Sequence, residues 1–461
     1  MKHKILTAVA AITFTLSATA QVHRSTELAD GWEFSHDGAA WESVSIPHDW
    51  AIGGPFDKKW DLQVVAIKEN GEDTETEHSG RSGSLPWIGK GVYKTTFTVP
   101  KGHERAELVF DGAMSEPVVY INGKEAGRWA YGYNAFRIDA TPFINRDGKP
   151  NTLEVHLVNL EESSRWYPGG GLYRPVTLIT GGKIHIDTWG HSMTTISADS
   201  QVAKLQMETQ VNGLKRGQAA TVEIKIFDAN NKLLTQQSGK VEADGKSRLY
   251  LAIDHPQLWS PETPYRYRVL TSVSVGGKVQ DSRVDKFGVR TFSFTPEGGF
   301  RLNGQQRKFQ GVCLHHDLGP LGAALNRAAL ERQLLIMKDM GADAIRTSHN
   351  MPSTWQMELC DSLGLMVMAE SFDGWKEPKV KNGYNRFWDE WWQKDITNLI
   401  LNHRNHCSII MWSVGNEIPE QWKVEGAERY RALVDLCHKL DPTRPVTCGM
   451  DNPDADIESG F

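Results

Sequence analysis

From Gly91 to Val99 apolar and polar residues alternate one by one, until Pro100 stops the run. A period of two marks a strand with one buried face. Glu107–Phe110 repeats it, and Val118–Ile121 runs into Asn122-Gly123, the strongest short hairpin signal. Asn151–Val158 and Val176–Thr180 continue the series, so residues 21–182 are expected to form a β-sandwich of jelly-roll type. The polar, Gly-rich stretch 69–83 reads as an insertion in it. Alternation resumes at Lys204–Val211, Thr221–Phe227 and Tyr265–Val275. A span of about 110 residues with roughly seven strands, 183–292, suits an immunoglobulin-like sandwich.

After Pro296 the period changes. Leu330, Leu334 and Met337 fall on one stripe of a helix over 327–340, and helices are expected at 354–363, 387–402 and 426–440. Short apolar runs lie between them at 310–314, 342–346, 365–368 and 409–414, and a further strand begins at Pro445. Strict β-α alternation implies a parallel sheet. Five strands and four helices over 293–461 fit the N-terminal part of a (β/α)8 TIM barrel. A complete barrel needs eight of each in about 250 residues. The chain therefore reads as an N-terminal portion whose barrel continues elsewhere.

Composition narrows the function classes. The chain has 461 residues and a net charge of −6, from 51 Lys and Arg against 57 Asp and Glu. That balance gives no reason to expect nucleic acid or an anionic membrane as a partner. Met1–Lys4 is basic, Ile5–Leu16 is apolar but too short to span a bilayer, and Ala18-Thr19-Ala20 fits a cleavage site. Residues 1–20 are thus expected to be a signal peptide, and the protein periplasmic or secreted. The five cysteines form no close metal-type pair and read as mostly buried free thiols. Sixteen tryptophans is a high count; most suit the cores of the β domains, and a surplus suits clefts that stack on flat ligands such as sugar rings.

The apolar run Ser408–Val414 stops abruptly at Gly415-Asn416-Glu417. Three other barrel strands also end in polar clusters, His315-His316-Asp317, Arg346–Asn350 and Glu370–Trp375. The C-terminal ends of parallel strands converge on one mouth. Carboxylates, His, Asn, Arg and Trp without a cofactor motif suit glycoside hydrolysis, in which one carboxylic acid protonates the leaving oxygen and a second carboxylate attacks or activates water. His315, His316, Asp317 and His349 are ligand-capable, but neighbours on a strand face opposite sides and do not readily share one ion.

Longer motifs sharpen this reading. Pro47-His48-Asp49-Trp50, Ser164–Arg174, Phe287–Arg290, Gly311–Asp317, Arg346–Asn350 and Trp412–Glu417 stand in the order found in glycoside hydrolase family two. The mature chain resembles that family, and most of all its bacterial β-galactosidase branch. The resemblance implies that Glu417 is the general acid/base and that Asn416 contacts the sugar 2-hydroxyl. It implies that His316, Arg346, His349, Asn350 and Asp373 bind substrate. The family's nucleophile is a second Glu on a later strand, here expected beyond Phe461; Glu370 matches a supporting position. No organic cofactor is implied and no metal ligand set is assigned, although some relatives use Mg2+ or Na+. The expected partner is a β-galactoside oligosaccharide or glycoconjugate, with homo-oligomerisation left open. The sequence departs from the family at Ala369, usually Asp, at Cys407, usually Pro, and at Met351. A retaining exo-β-galactosidase is the expected function. The alternatives are a β-glucuronidase of the same family and a non-catalytic carbohydrate-binding protein.

Overall fold

The computed structural model describes residues 23–55, 57 and 87–450. The expected signal peptide at 1–20, the insertion at 69–83 and the tail after Met450 lie outside the described residues.

The first sandwich packs a six-stranded sheet on a four-stranded one. Its central strand, Gly89–Thr98, pairs with Trp32–His36 on one side and Pro150–Asn159 on the other. Gly91, Tyr93, Thr95 and Phe97 point into the core, as the period of two requires. Trp32, Phe34, Trp50, Phe110 and Phe136 fill the space between the sheets, with the last two stacked 4.7 Å apart. The second sandwich has seven strands between His185 and Phe287, in sheets of three and four. Its core is aliphatic, built on Leu205, Met207, Val222, Ile224 and Val269.

Five parallel strands follow in sequence order: β1 (Gly311–Leu314), β2 (Ala344–Thr347), β3 (Met366–Glu370), β4 (Ile409–Asn416) and β5 (Val446–Gly449). Between them lie α1 (Arg327–Asp339), α2 (Thr354–Leu363), α3 (Trp388–His403) and α4 (Val424–Leu440). The fold is therefore a jelly-roll sandwich, an immunoglobulin-like sandwich and part of a TIM barrel. Local chemistry sets the helix starts. Asn326 and Ser353 accept hydrogen bonds from the Ala329 and Gln356 amides, as N-caps do. Gly364 ends α2 at φ 74°, where a Cβ would lie 2.4 Å from the Pro261 carbonyl oxygen. β4 runs two residues past the apolar stretch expected to form it, because Asn416 still pairs with Gly449. A three-stranded ribbon from Phe292 to Gln306 sets Phe300 and Leu302 in one cluster with Ala344, Met366 and Ile410 near the strand starts.

All five cysteines are free thiols. Cys360, Cys407 and Cys437 are buried, but Cys313 is exposed, because β1 pairs only with β2 among the described residues.

The first sandwich is welded to the barrel. Tyr131, Tyr133 and Tyr173 belong to the same apolar cluster as Met351, Phe372 and Trp375. Arg174, 2% exposed, donates to the carbonyls of Asp111, Tyr133, Met351 and Pro352. Asp111 in turn accepts from the Thr354 amide and hydroxyl at the start of α2. Asp395 of α3 accepts from Trp129, Asn134 and Tyr384. Burial pushes its carboxyl up to about 7, although these three donors work the other way. No helix among the described residues is long and apolar enough to cross a membrane.

Candidate active site

The mouth is built from strand ends. Glu370, the last residue of β3, is wholly buried. Its Oε2 accepts from Arg346 Nε at 2.8 Å and from the Ser413 hydroxyl at 2.6 Å, and its Oε1 lies 2.7 Å from His349 Nδ1. These partners come from β2, from β4 and from the loop after β2. Three charged or polar partners around one enclosed carboxylate leave it no free lone pair facing the solvent.

Asn416, the last residue of β4, bridges two clusters. Its Oδ1 accepts from Arg346 Nη2 at 2.9 Å and its Nδ2 donates to Asp373 Oδ1 at 3.0 Å. Asp373, three residues beyond β3, also receives a bidentate pair from Arg165, at 2.9 and 2.6 Å, and Lys379 at 3.2 Å. Burial opposes its charge, but Arg165 and Lys379 outweigh burial and bring the carboxyl down to about 2. Burial likewise lowers Lys379, against the pull of Asp373. Lys379 gives a further bond, at 2.6 Å, to the Asn416 carbonyl.

Glu417 stands differently. Its side chain is 47% exposed and, among the described residues, meets a single ion-pair partner, Arg165 Nη2, at 3.1 Å. Its backbone lies at φ 45°, in the left-handed region that non-glycine residues rarely adopt. The Glu417 amide is held there by the Gly449 carbonyl at 2.6 Å. Gly415 permits the turn, since a Cβ on it would meet Ile418 and Cys448 within 2.8 Å. The strand thus ends with Asn416 fixed and Glu417 lifted out of the sheet.

The loop of the first sandwich that carries Arg165 and Trp166 lies across this mouth. The Trp166 ring sits 4.7 Å from His315 and 5.7 Å from His349, and His315 and His349 meet edge to face at 5.3 Å. Burial keeps His315 below its usual pKa, so it is neutral near pH 7. Next to the Arg165–Asp373 pair a cavity opens between the sandwich and the loop after β3, lined among others by Tyr131, Tyr133, Asn350, Lys379 and Tyr384.

The structure gathers Arg346, His349, Asp373 and Asn416 into one network that reaches Glu417. Asn350 stands slightly apart, accepting from the Tyr131 hydroxyl at 2.7 Å on the cavity wall. His316 is turned the other way. Its Nε2 meets the Pro168 carbonyl at 3.1 Å, its ring packs edge-on against Tyr133, and its Nδ1 is enclosed without a partner. Burial, then Arg174, lowers it to about 4. The opposite faces of adjacent residues are the reason: His315 takes the side toward His349 that was expected of His316. Sequence reasoning missed Arg165, Trp166, Lys379 and Ser413 as parts of the mouth. Arg165 and Trp166 stood inside the Ser164–Arg174 motif, which was the available signal. Among the described residues no three His, Cys, Asp or Glu side chains converge as a cation would need. The Mg2+ or Na+ that the family admits therefore finds no donor set of that kind here.

Comparison with known proteins agrees with this architecture. The model of the TIM barrel domain of glycosyl hydrolases family 2 matches residues 295–459, and a second model of the same family matches 184–290. The chain belongs to glycosyl hydrolase family 2. It is 38% identical to the beta-galactosidase BoGH2A of Bacteroides ovatus, covering 93% of this chain and 53% of the relative. It is 35% identical to a putative beta-glucuronidase of Formosa agariphila, over 94% of this chain and 40% of that protein. The chain spans about half the length of the curated relatives it matches. Among solved structures, a family 2 member from Bacteroides cellulosilyticus superposes with a TM-score of 0.85 at 30% identity, covering 95% of this chain and 57% of that one. A beta-glycosidase from Bacteroides vulgatus superposes with a TM-score of 0.82 at 34% identity, over 92% and 54%.

Proposed function

We propose that the whole protein is an exported, retaining, exo-acting β-galactosidase with Glu417 as its general acid/base. The observation that carries the role is the contrast at the strand ends. Glu417 is presented to solvent beside a fixed Asn416. Glu370 is enclosed and engaged on both oxygens, so it is unsuited to attack an anomeric carbon. A second carboxylate for that attack is assigned to none of the described residues, and the 461-residue chain is proposed to be inactive by itself. Removal of the covalent path costs many orders of magnitude in rate.

Charge favours a neutral glycone. Arg346, Arg165 and Lys379 face Glu370, Asp373 and Glu417, and each cation is already committed to a carboxylate. A uronate arriving here meets no uncommitted cation among these groups. A β-glucuronide remains the second reading, because several relatives are named beta-glucuronidase. The test compares the whole protein on aryl β-galactosides and aryl β-glucuronides. Galactoside turnover at least tenfold faster supports the proposal, and the reverse order replaces it with the second reading. In kcat/KM, which reports the first half, Glu417→Gln is expected to slow substrates with poor leaving groups by about 10^2 to 10^4 and activated aryl substrates far less. Equal slowing of both removes the acid role.

A further inference from the structure

We infer that Arg165, supplied by the first sandwich, is the positioning residue of the acid/base: it docks the Glu417 side chain while that carboxyl is charged and releases it when protonated. The inference rests on the role proposed for Glu417.

The asymmetry of the contacts is the first argument. Arg165 gives Asp373 two bonds, at 2.9 and 2.6 Å, and Asp373 is braced by Lys379 and Asn416. Its third bond, to Glu417, is longer, at 3.1 Å, and ends on a side chain that is 47% exposed. When this bridge opens, it opens at Glu417, and Arg165 stays where it is. A guanidinium carries only donors, so its hold on a carboxyl is strongest when the carboxyl is ionised and weakens when protonation removes the Coulomb attraction.

The reaction requires both positions. In the first half the bond from the anomeric carbon to the glycosidic oxygen breaks. That oxygen takes the proton of Glu417, and the attacking carboxylate bonds to the carbon. In the second half a water oxygen bonds to the carbon, its proton passes to Glu417, and the carboxylate leaves. Glu417 begins the first half protonated and must face the leaving oxygen. It begins the second half charged. Arg165 therefore suits the second stage and must let go in the first.

The other charged groups facing Glu417 do not reproduce this role. Lys379, on the loop after β3, feels its charge but is directed to Asp373 and the Asn416 carbonyl. Asp373 lies behind Arg165. Arg346 and Glu370, on β2 and β3, connect to it only through Asn416. His315 and His349 pack together under Trp166.

The experiment splits the two halves in the whole protein with Arg165→Gln, Arg165→Lys and Asp373→Asn. For Arg165→Gln, kcat on activated aryl glycosides, limited by the second half, is expected to fall about tenfold. Its kcat/KM on a poor leaving group at pH 8 is expected to hold or rise, with the alkaline limb of the pH profile moving up by about one pH unit. Arg165→Lys should recover most of both effects. Asp373→Asn, which frees Arg165 for Glu417, should move the same limb the opposite way. Equal losses in both halves for a variant that melts like the wild type overturn the inference, as does an alkaline limb that stays put in Arg165→Gln. Failure of the underlying role looks different, since Glu417→Gln would then show no dependence on the leaving group.

Discussion

Glu370 and Glu417 leave neighbouring strands of one sheet, yet they occupy opposite environments. Glu370 is sealed, with partners on both oxygens. Glu417 is nearly half exposed, with one bond and a left-handed backbone. The residue type is the same, so the difference lies in what surrounds each. A carboxylate that holds three strands together cannot also move to a substrate. The role proposed for Glu417, gaining and losing a proton, asks for a carboxylate held by a loose tether. The contrast teaches that in this mouth one glutamate is part of the floor and the other is presented at the surface.

The contrast is broken most severely at Glu370. Glu370→Ala leaves Arg346 and His349 facing an empty, enclosed site, and is expected to cost about 3 kcal/mol or more of stability. Thermal and urea melts of the chain read this directly, and a change under about 1 kcal/mol would reduce Glu370 to an ordinary surface-like glutamate. Asp373→Asn should come next, at about 1–2 kcal/mol, because it removes the charged partner of Arg165 and Lys379. Its loss should depend on pH in a defined direction. The folded carboxyl sits at about 2 and the unfolded one at about 3.9, so the stabilisation is full above 4 and fades as pH falls toward 2. Wild type and variant should therefore converge in acid.

Asp395 gives the opposite sign. Its folded carboxyl holds its proton up to about 7, whereas the unfolded one ionises from about 4. Stability should fall as pH rises through that window and level off above it. Asp395→Asn should flatten this slope in melts recorded from pH 4 to pH 8. Glu417→Gln should be the mildest for the fold, within about 0.5 kcal/mol, while being among the most damaging for turnover. A large loss of stability in that variant would erase the distinction between the two glutamates.

Much of this architecture is legible in the residues. The switch from a period of two to helical spacing after Pro296 is a local pattern, and Asn326, Ser353 and Gly364 are local punctuation. The apolar run into Asn416-Glu417 is equally local, since a strand that stops at a carboxylate announces a rim. What was not legible is what depends on long-range contact. Arg165 lies 252 residues before the carboxylate it touches, and nothing in its neighbourhood specifies that partner. Alternation on a strand says that His315 and His316 face opposite sides, but not which side faces the mouth. That is decided by Tyr133, Tyr173 and Pro168, all from another domain. Lys379 hides in a polar loop where a lysine is the ordinary residue.

The buried guanidinium of Arg174 has a consequence for engineering. It donates to backbone carbonyls on both sides of the domain boundary, so its hydrogen bonds follow the path of the main chain. A barrel transplanted onto a foreign sandwich would lose this gauge of position and, with it, the loop that delivers Arg165 and Trp166. Chimeras of this architecture should therefore never divide the first sandwich from the barrel, so that both pieces of the rim are inherited together.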